Sequence, residues 1–426
     1  MKVLVVGSGG REHALCHGIA KSPRLRRLIC APGNPGIEGL AETAPVAADD
    51  VPGLVALARK EQVDLVVVGP EAPLALGLAD ALRAEGIACF GPSRAAAEIE
   101  SSKAFAKELM KRAKIPTATF GTFEDVDSAL AFAAEWGGRV AVKADGLAAG
   151  KGVIVCGSME EARRALETML VEKAFGEAGR RVVVEERLEG QEASVIALVD
   201  GRDVRLLAPA QDHKRLLDGD LGPNTGGMGA YSPAPIVDEA TLERVRREIL
   251  LPAVAQLAAE GREFRGALYA GLMITAEGPK VIEFNCRMGD PETQPIVVRL
   301  EDDLLELMEA AANGRMGPGA IAFDERAAMT VVLAAEGYPG KVRKGDRIDG
   351  IAEAEADPEV IVFHAGTARR DDELVTAGGR VLGVTALGAT LKEARERAYR
   401  ACEKIRFEGM QYRRDIGHHV LGQEQR

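Results

Sequence analysis

Nowhere in this 426-residue chain is there an apolar run near the ~20 residues a bilayer span needs. Stretches such as Val63–Val68 are short and broken by glycine or charge, so no membrane partner is expected. Positive charge is in deficit too: the formal net charge is −11, and aromatic residues make up only 4%. A nucleic-acid partner, which calls for a basic face and often stacking rings, is thereby disfavoured. A small anionic substrate is not, because a local basic pocket can sit in an acidic protein. The six cysteines (Cys16, Cys30, Cys89, Cys156, Cys286, Cys402) include no C-x-x-C pair. That argues against a disulfide framework or a thiolate zinc site and fits a reducing cytoplasm. The six histidines show no H-E-x-x-H spacing, and His418-His419 reads as a feature of the tail. Met1–Gly10 is too short before its glycines for a secretory signal, so no export is expected.

What is there is ordinary globular composition, 46% hydrophobic and 28% charged, in a length that suggests two to four domains. The first hundred residues alternate apolar strands (Lys2–Val6, Leu25–Ala31, Val63–Val68) with amphipathic helices such as Glu12–Ala20. Glycine or proline closes each unit, at Gly7, Pro32-Gly33, Gly69-Pro70 and Gly91-Pro92. This punctuation predicts a parallel sheet with ligands at the carboxyl ends of its strands. One long helix is expected over Arg94–Lys114, stopped by Pro116. Strand, glycine loop and strand follow at Val140–Lys143, Asp145–Gly152 and Val153–Cys156, then a helix at Glu160–Glu172 and a strand at Arg181–Glu186. Beyond them come strands at Glu192–Leu198 and Val204–Pro209, a helix near Glu239–Glu260 and a hairpin from Ala267–Thr275 to Lys280–Asn285. A glycine-rich boundary at Gly314–Gly319 precedes short strands and a last helix, Leu391–Ile405.

Four motifs carry chemistry. Gly7-Ser8-Gly9-Gly10-Arg11-Glu12-His13 follows a strand and opens a helix, where glycines and free N–H groups suit a phosphate. It is not a dinucleotide fingerprint, because Glu12 stands where the third glycine belongs. Lys143 lies on a strand between apolar neighbours, where an ammonium is costly unless it meets an anion, and the glycine loop after it offers backbone donors to polyphosphate. In Val281-Ile282-Glu283-Phe284-Asn285-Cys286-Arg287, strand alternation puts Glu283, Asn285 and Arg287 on one face and Ile282, Phe284 and Cys286 in the core. A carboxylate, an amide and a guanidinium on one face suit Mg²⁺ held to phosphate oxygens. Val182–Glu192 is a buried strand running into polar residues, a weaker sign of a purine-reading edge. Asp212-His213-Lys214-Arg215 and Asn224-Thr225-Gly226-Gly227-Met228-Gly229 read as loops that line a site.

Together these motifs resemble those of the ATP-grasp ligases, and within them the phosphoribosylamine–glycine ligase family of purine biosynthesis. The likeness runs over essentially the whole chain, through G-S-G-G-R-E-H-A-L at 7–15, P-G-N-P-G at 32–36 and G-P-E-A-P-L at 69–74. It continues through V-K-A-D-G-L-A-A-G-K-G-V at 142–153, Q-D-H-K-R at 211–215, N-T-G-G-M-G-A at 224–230 and V-I-E-F-N-C-R-M-G-D-P-E-T-Q at 281–294. The resemblance implies an α/β and α+β multidomain fold: an N-terminal parallel α/β domain (1–100), an ATP-grasp core (101–122 and 189–325), a small lid (123–188) and a C-terminal mixed α/β domain (326–426). It implies ATP and Mg²⁺ or Mn²⁺, with glycine and 5-phosphoribosylamine as substrates, in a cytoplasmic monomer or homodimer. By the same likeness Lys103 and Lys143 grip the nucleotide phosphates. Glu185, Glu186 and Leu188 read adenine, and Glu192 holds the ribose. Glu283 and Asn285 ligate metal, while Arg287 faces the transferring phosphoryl group, with Lys143 as its catalytic partner. Gly9, Gly10, Arg11 and Asn34 are expected phosphoribosyl contacts, and Asp212, Lys214 and Asp290 substrate contacts. Where many ATP-grasp enzymes carry another acidic metal ligand, this chain has Gly271-Leu272-Met273, which leaves Asp290 or Glu292 for a second metal. The implied reaction passes through glycyl phosphate. Rival readings are another ATP-grasp ligase or carboxylase, a nicotinamide oxidoreductase and a nucleotide sensor.

Overall fold

Five parallel strands come first, in the order Glu42–Thr43, Arg27–Pro32, Lys2–Gly7, Leu65–Val68, Ala88–Phe90. The computed structural model describes residues 1–147, 152–174 and 176–421. Val3–Val6 and Leu65–Val68 are buried along their whole length, as expected for strands covered on both faces by crossover helices. Gly7, Pro32 and Gly69 follow at the carboxyl ends, which puts the turn 7–10 and the segment 69–71 side by side.

Two antiparallel four-stranded sheets follow. One is ordered Phe120–Phe123, Val182–Glu186, Val140–Ala144, Val153–Val155, and the helices Val126–Ala134 and Met159–Leu166 close its own small core around Val140, Val142, Val182 and Val184. The other is ordered Val204–Leu206, Gln191–Asp200, Arg265–Thr275, Gly278–Asn285. A fifth-strand count recurs in the last sheet, where Gln211–Asp212 and Gly229–Ser232 join Ala327–Ala334, Arg380–Gly388 and Val360–His364. The segment expected as loops around residues 211–229 thus contributes two short strands to it.

Three helix expectations need correction. The long helix over Arg94–Lys114 is two, Arg94–Ser101 and Lys103–Arg112, because Ser102 takes an extended backbone and caps the second through Oγ, which accepts from Phe105 N–H. The helices at Glu160–Glu172 and Glu239–Glu260 each contain a wide π turn, at Glu167–Val171 and Arg246–Leu250. In the second case Pro252 sits just after the turn and has no N–H to donate back. The Glu283 strand also departs from simple alternation. Gly271 pairs with Glu283 but Leu272 with Val281, so Ile282 is a bulged extra residue, half-exposed rather than in the core, while Phe284 and Cys286 are buried as expected.

Candidate active site

The N-terminal glycine turn is partly filled by the chain itself. Gly9 N–H donates to Glu12 Oε2 at 2.6 Å, and Arg11 Nε donates to Glu12 Oε1 at 2.5 Å. A Cβ at Gly69 would stand 2.0 Å from Glu12 Oε1, and one at Gly7 2.6 Å from the same side chain. These glycines therefore make room for a buried carboxylate that caps the helix Gly10–Ala20, and the Gly9 N–H is not open to a ligand as the sequence suggested. Arg11 also donates to Met288 O, and a Cβ at Gly10 would meet Gln294 Nε2 at 2.7 Å. Asn34, expected as a phosphoribosyl contact, is engaged within the protein. Its amide donates to Ser8 O and His364 O, and its oxygen accepts from Gly36 N–H, so the side chain is spent on tying the turn to the last sheet.

Lys143 meets its anion inside the protein. Its Nζ lies 2.8 Å from Glu185 Oε1 and donates to Ile282 O at 2.9 Å, the carbonyl of the bulged residue. The other Glu185 oxygen pairs with Lys107 at 2.8 Å, and Lys107 donates to Thr117 Oγ1, which in turn donates to Val281 O. All three side chains are almost fully buried. Burial pulls the Lys107 ammonium down to about 8 despite Glu185. An ammonium has three protons, and the one hydrogen bond of Lys143, to Ile282 O, leaves it donors for a further anion. Lys103, the first residue of its helix, donates to Gly146 O at 3.2 Å. Asp145 fixes this junction: Oδ1 accepts from Ser102 Oγ and Ala104 N–H, and Oδ2 pairs with Arg181. Residues 148–151 of the expected glycine loop lie outside the described residues.

Glu283 is the point on which the cations converge. Burial would raise its carboxyl, yet Lys214, Lys143, Lys103 and Arg287 together hold it below its ordinary value. Lys214 Nζ stands 3.0 Å from Glu192 Oε2 and 3.9 Å from Glu283 Oε1. Burial opposes the charge on Lys214, but Glu192, Asp212 and Glu283 outweigh it and keep the ammonium well above its usual range. Burial pushes the Asp212 carboxyl up to about 8 against the pull of Lys214. Asn285 lies two residues on, its side chain half-buried and without a hydrogen bond among the described residues. Arg287, just past the strand end, is clamped by Glu71 at 3.2 Å and Glu100 at 3.0 Å, and donates to Met288 O. Glu100 in turn accepts from Cys286 N–H. The clamp thus joins the first sheet to the strand Gly278–Asn285.

Asp290 and Glu292 are both engaged. Asp290 Oδ2 pairs with Arg380 at 2.9 Å, and its Oδ1 accepts from Gln294 Nε2. Arg380 also donates to Gly226 O, which fixes the N-T-G-G-M-G loop against the same residue. Glu292 Oε1 accepts from Tyr269 Oη and Ser194 Oγ in a buried cluster. Glu186 and Leu188 lie where the strand Val182–Glu186 passes toward Gln191–Asp200; Glu186 N–H donates to Thr119 O, and Leu188 is half-buried.

Lys103, Lys143, Lys214, Arg287, Glu192, Asp212, Glu283 and Asn285 are therefore brought to one place, with Glu185 behind them. Sequence reasoning missed Lys107, Glu71, Glu100, Glu12 and Arg380. Lys107 had a signal: it lies four residues after Lys103, on the same helix face. Glu71 lay within a quoted motif with no role attached.

Three family models match consecutive parts of the chain: Phosphoribosylglycinamide synthetase, N domain, at residues 1–100; its ATP-grasp (A) domain at 101–293; and its C domain at 328–419. A phosphoribosylamine–glycine ligase of Vibrio vulnificus is 51% identical over 428 residues and that of Allochromatium vinosum 53% over 431, each comparison covering 100% of both chains. The solved phosphoribosylamine–glycine ligase of Thermotoga maritima superposes with a TM-score of 0.86 at 33% identity, over 97% of this chain and 100% of that one. A biotin carboxylase from Campylobacter jejuni reaches a TM-score of 0.74 at 18% identity, over 96% and 92%, a likeness of fold.

Proposed function

The chain belongs to the phosphoribosylglycinamide synthetase (phosphoribosylamine–glycine ligase) family, and from that premise we propose how its residues carry the reaction. It is an ATP-dependent ligase that joins glycine to 5-phosphoribosylamine, giving glycinamide ribonucleotide, ADP and phosphate in the second step of purine biosynthesis. The observation that carries the residue assignment is that Lys214 stands 3.9 Å from Glu283 and Lys143 holds the carbonyl of the residue before it, with Lys103 and Arg287 near enough to act on the same carboxylate beside Asn285. Lys143, Lys214 and Arg287 are each oriented by a carboxylate of their own, Glu185, Glu192 and the Glu71–Glu100 pair, and cations held in place around a pair of oxygen donors suit a polyphosphate with its metal.

On this reading the glycine carboxylate attacks the γ-phosphorus of ATP. The bond to the ADP oxygen breaks, and glycyl phosphate forms. The amine of 5-phosphoribosylamine then attacks the glycyl carbonyl and expels phosphate, leaving the amide. Phosphoryl transfer of this kind asks for positioning and charge neutralisation rather than a side-chain nucleophile. Lys103 and Lys143 hold the nucleotide phosphates, with Glu185 orienting Lys143. Glu186 and Leu188 present backbone to adenine, and Glu192 faces the ribose. Arg287, with its two remaining N–H donors, steadies the transferring phosphoryl group while Glu71 and Glu100 keep it in place. Glu283 and Asn285 would hold Mg²⁺ or Mn²⁺, a hard cation suited to oxygen donors, which when bound neutralises charge on the phosphates. Asp212 and Lys214 face glycine or the amine; Gly10, Arg11 and Asp290 border the phosphosugar.

The proposed division is a substrate domain at 1–100, a core at 101–122 and 189–325, a lid at 123–188 and a C-terminal domain at 326–426. A lid over the site would keep water from the acyl phosphate. No helix among the described residues is long and apolar enough to cross a membrane. We infer a cytoplasmic enzyme, monomer or homodimer, acting on small molecules. The test is ADP release in Mg²⁺ with each substrate in turn. Release is expected only when glycine is present, rising with 5-phosphoribosylamine; release driven by bicarbonate and biotin, without glycine, would favour the carboxylase reading instead.

A further inference from the structure

We propose that His213, His418 and His419 form a binding site for a borderline divalent cation of the zinc class, separate from the site around Glu283. The sequence treats the His418-His419 pair as a tail feature. In the structure each of the three rings offers a nitrogen within 4.8 Å of the other two. The rings of His418 and His419 stand 3.8 Å apart, and those of His213 and His419 are stacked at 5.8 Å. Asp220 adds an oxygen: its Oδ2 is 3.3 Å from His418 Nε2 and 3.0 Å from His419 Nε2. Donors held tetrahedrally about 2.0–2.1 Å from a zinc ion stand about 3.3–3.4 Å from one another; the two Asp220 separations are close to this, and the three ring nitrogens, within 4.8 Å, would draw together around the ion. Imidazole and carboxylate are the ligand set such a cation prefers.

Hydrogen bonding to Asp220 alone accounts for the two tail rings but leaves His213 unexplained. That ring is buried, its Nε2 accepts Gly417 N–H at 3.1 Å, and its Nδ1 has no partner. An unpaired buried polar nitrogen is costly, and a metal bond would satisfy it. Coordination through Nδ1 moves the ring proton to Nε2 or turns the ring over, and either change releases the Gly417 amide. Local charge favours a cation: Arg413, fully buried, pairs with both Asp220 and Asp415, which leaves two carboxylates against one guanidinium. His418 and His419 are about one-third exposed, which gives an ion a way in.

His213 sits between Asp212 and Lys214, and it packs on Tyr231 and the tail rings. A cation there would pin the segment 413–421 to the strand and loop that carry those two site residues.

The test uses the full chain, stripped of metal with a chelator and kept in excess Mg²⁺ so that hard-cation sites are filled. Titration with Co²⁺ is expected to give one equivalent of tight binding with the visible absorption of a tetrahedral ion, displaced by Zn²⁺. The double variant His418→Gln/His419→Gln should lose that absorption, and Asp220→Asn should weaken binding by about 10–100-fold. If the double variant does not melt cooperatively, His419→Gln alone serves the same purpose. Absence of stoichiometric Co²⁺ absorption in the parent chain, or an unchanged spectrum in a folded histidine variant, overturns the site.

Discussion

Replacing Lys143 by methionine is expected to lower kcat/KM for ATP by about a hundredfold or more, the usual loss when one donor to a developing anion is removed from a dry site. Methionine keeps most of the buried volume and removes the charge. The structure supplies a second consequence. Lys143 also neutralises Glu185 and ties down the bulged carbonyl of Ile282, so the variant should melt at a lower temperature. Breaking a buried pair costs about 3–5 kcal/mol when a charge is left alone, but Lys107 remains on Glu185, so the stability loss should fall below that range. The two effects separate in a cycle with Glu185→Gln. If Lys143 grips phosphate, its kinetic penalty persists in the Glu185→Gln background. If it serves only to balance Glu185, the penalty vanishes there, and the lysine leaves the catalytic assignment.

Glu283→Gln is the second large effect. The amide keeps the shape but takes away the one carboxylate on which Lys103, Lys143, Lys214 and Arg287 converge. Outer-shell partners of a bound metal already cost 10–100-fold when lost, so a direct ligand should raise the Mg²⁺ concentration for half-maximal activity by roughly a hundredfold. The rate at saturating Mg²⁺ should also fall, while apparent affinity for free ATP holds or rises, since the cations lose one of their counter-charges. Activity measured across Mg²⁺ concentrations checks this. A reduced rate with an unchanged Mg²⁺ dependence would reassign Glu283 from metal ligand to counter-ion of the lysines.

Much of this was legible in the chain because periodicity and punctuation are local. The βαβ pattern of the first hundred residues, the strand that holds Lys143 and the shared face of Glu283 and Asn285 all follow from alternation over a few residues. What sequence reading missed depended on distant partners. Ser102 breaks a strongly helical stretch because its hydroxyl and Asp145 cap a second helix start. Ile282 bulges where Gly271 and Leu272 face three residues of the next strand. Glu185 was expected at the adenine-reading edge, and its carboxylate balances two lysines contributed by different elements. The glycines of the turn at 7–10 suggested an open cradle, and only the fold shows Glu12 turned back into it, with Gly69 making room. The two histidines of the tail meet His213 some two hundred residues earlier in the chain, which no spacing rule finds.

The most direct test of the account follows oxygen. Glycine carrying ¹⁸O in its carboxylate is turned over with ATP, Mg²⁺ and 5-phosphoribosylamine, and the released phosphate is examined by mass or ³¹P shift. An acyl phosphate requires one carboxylate oxygen to leave with phosphorus, so one label per inorganic phosphate is expected, alongside ADP. Unlabelled phosphate would contradict glycyl phosphate as the intermediate, and label in AMP with release of pyrophosphate would place the chemistry at the α-phosphorus instead.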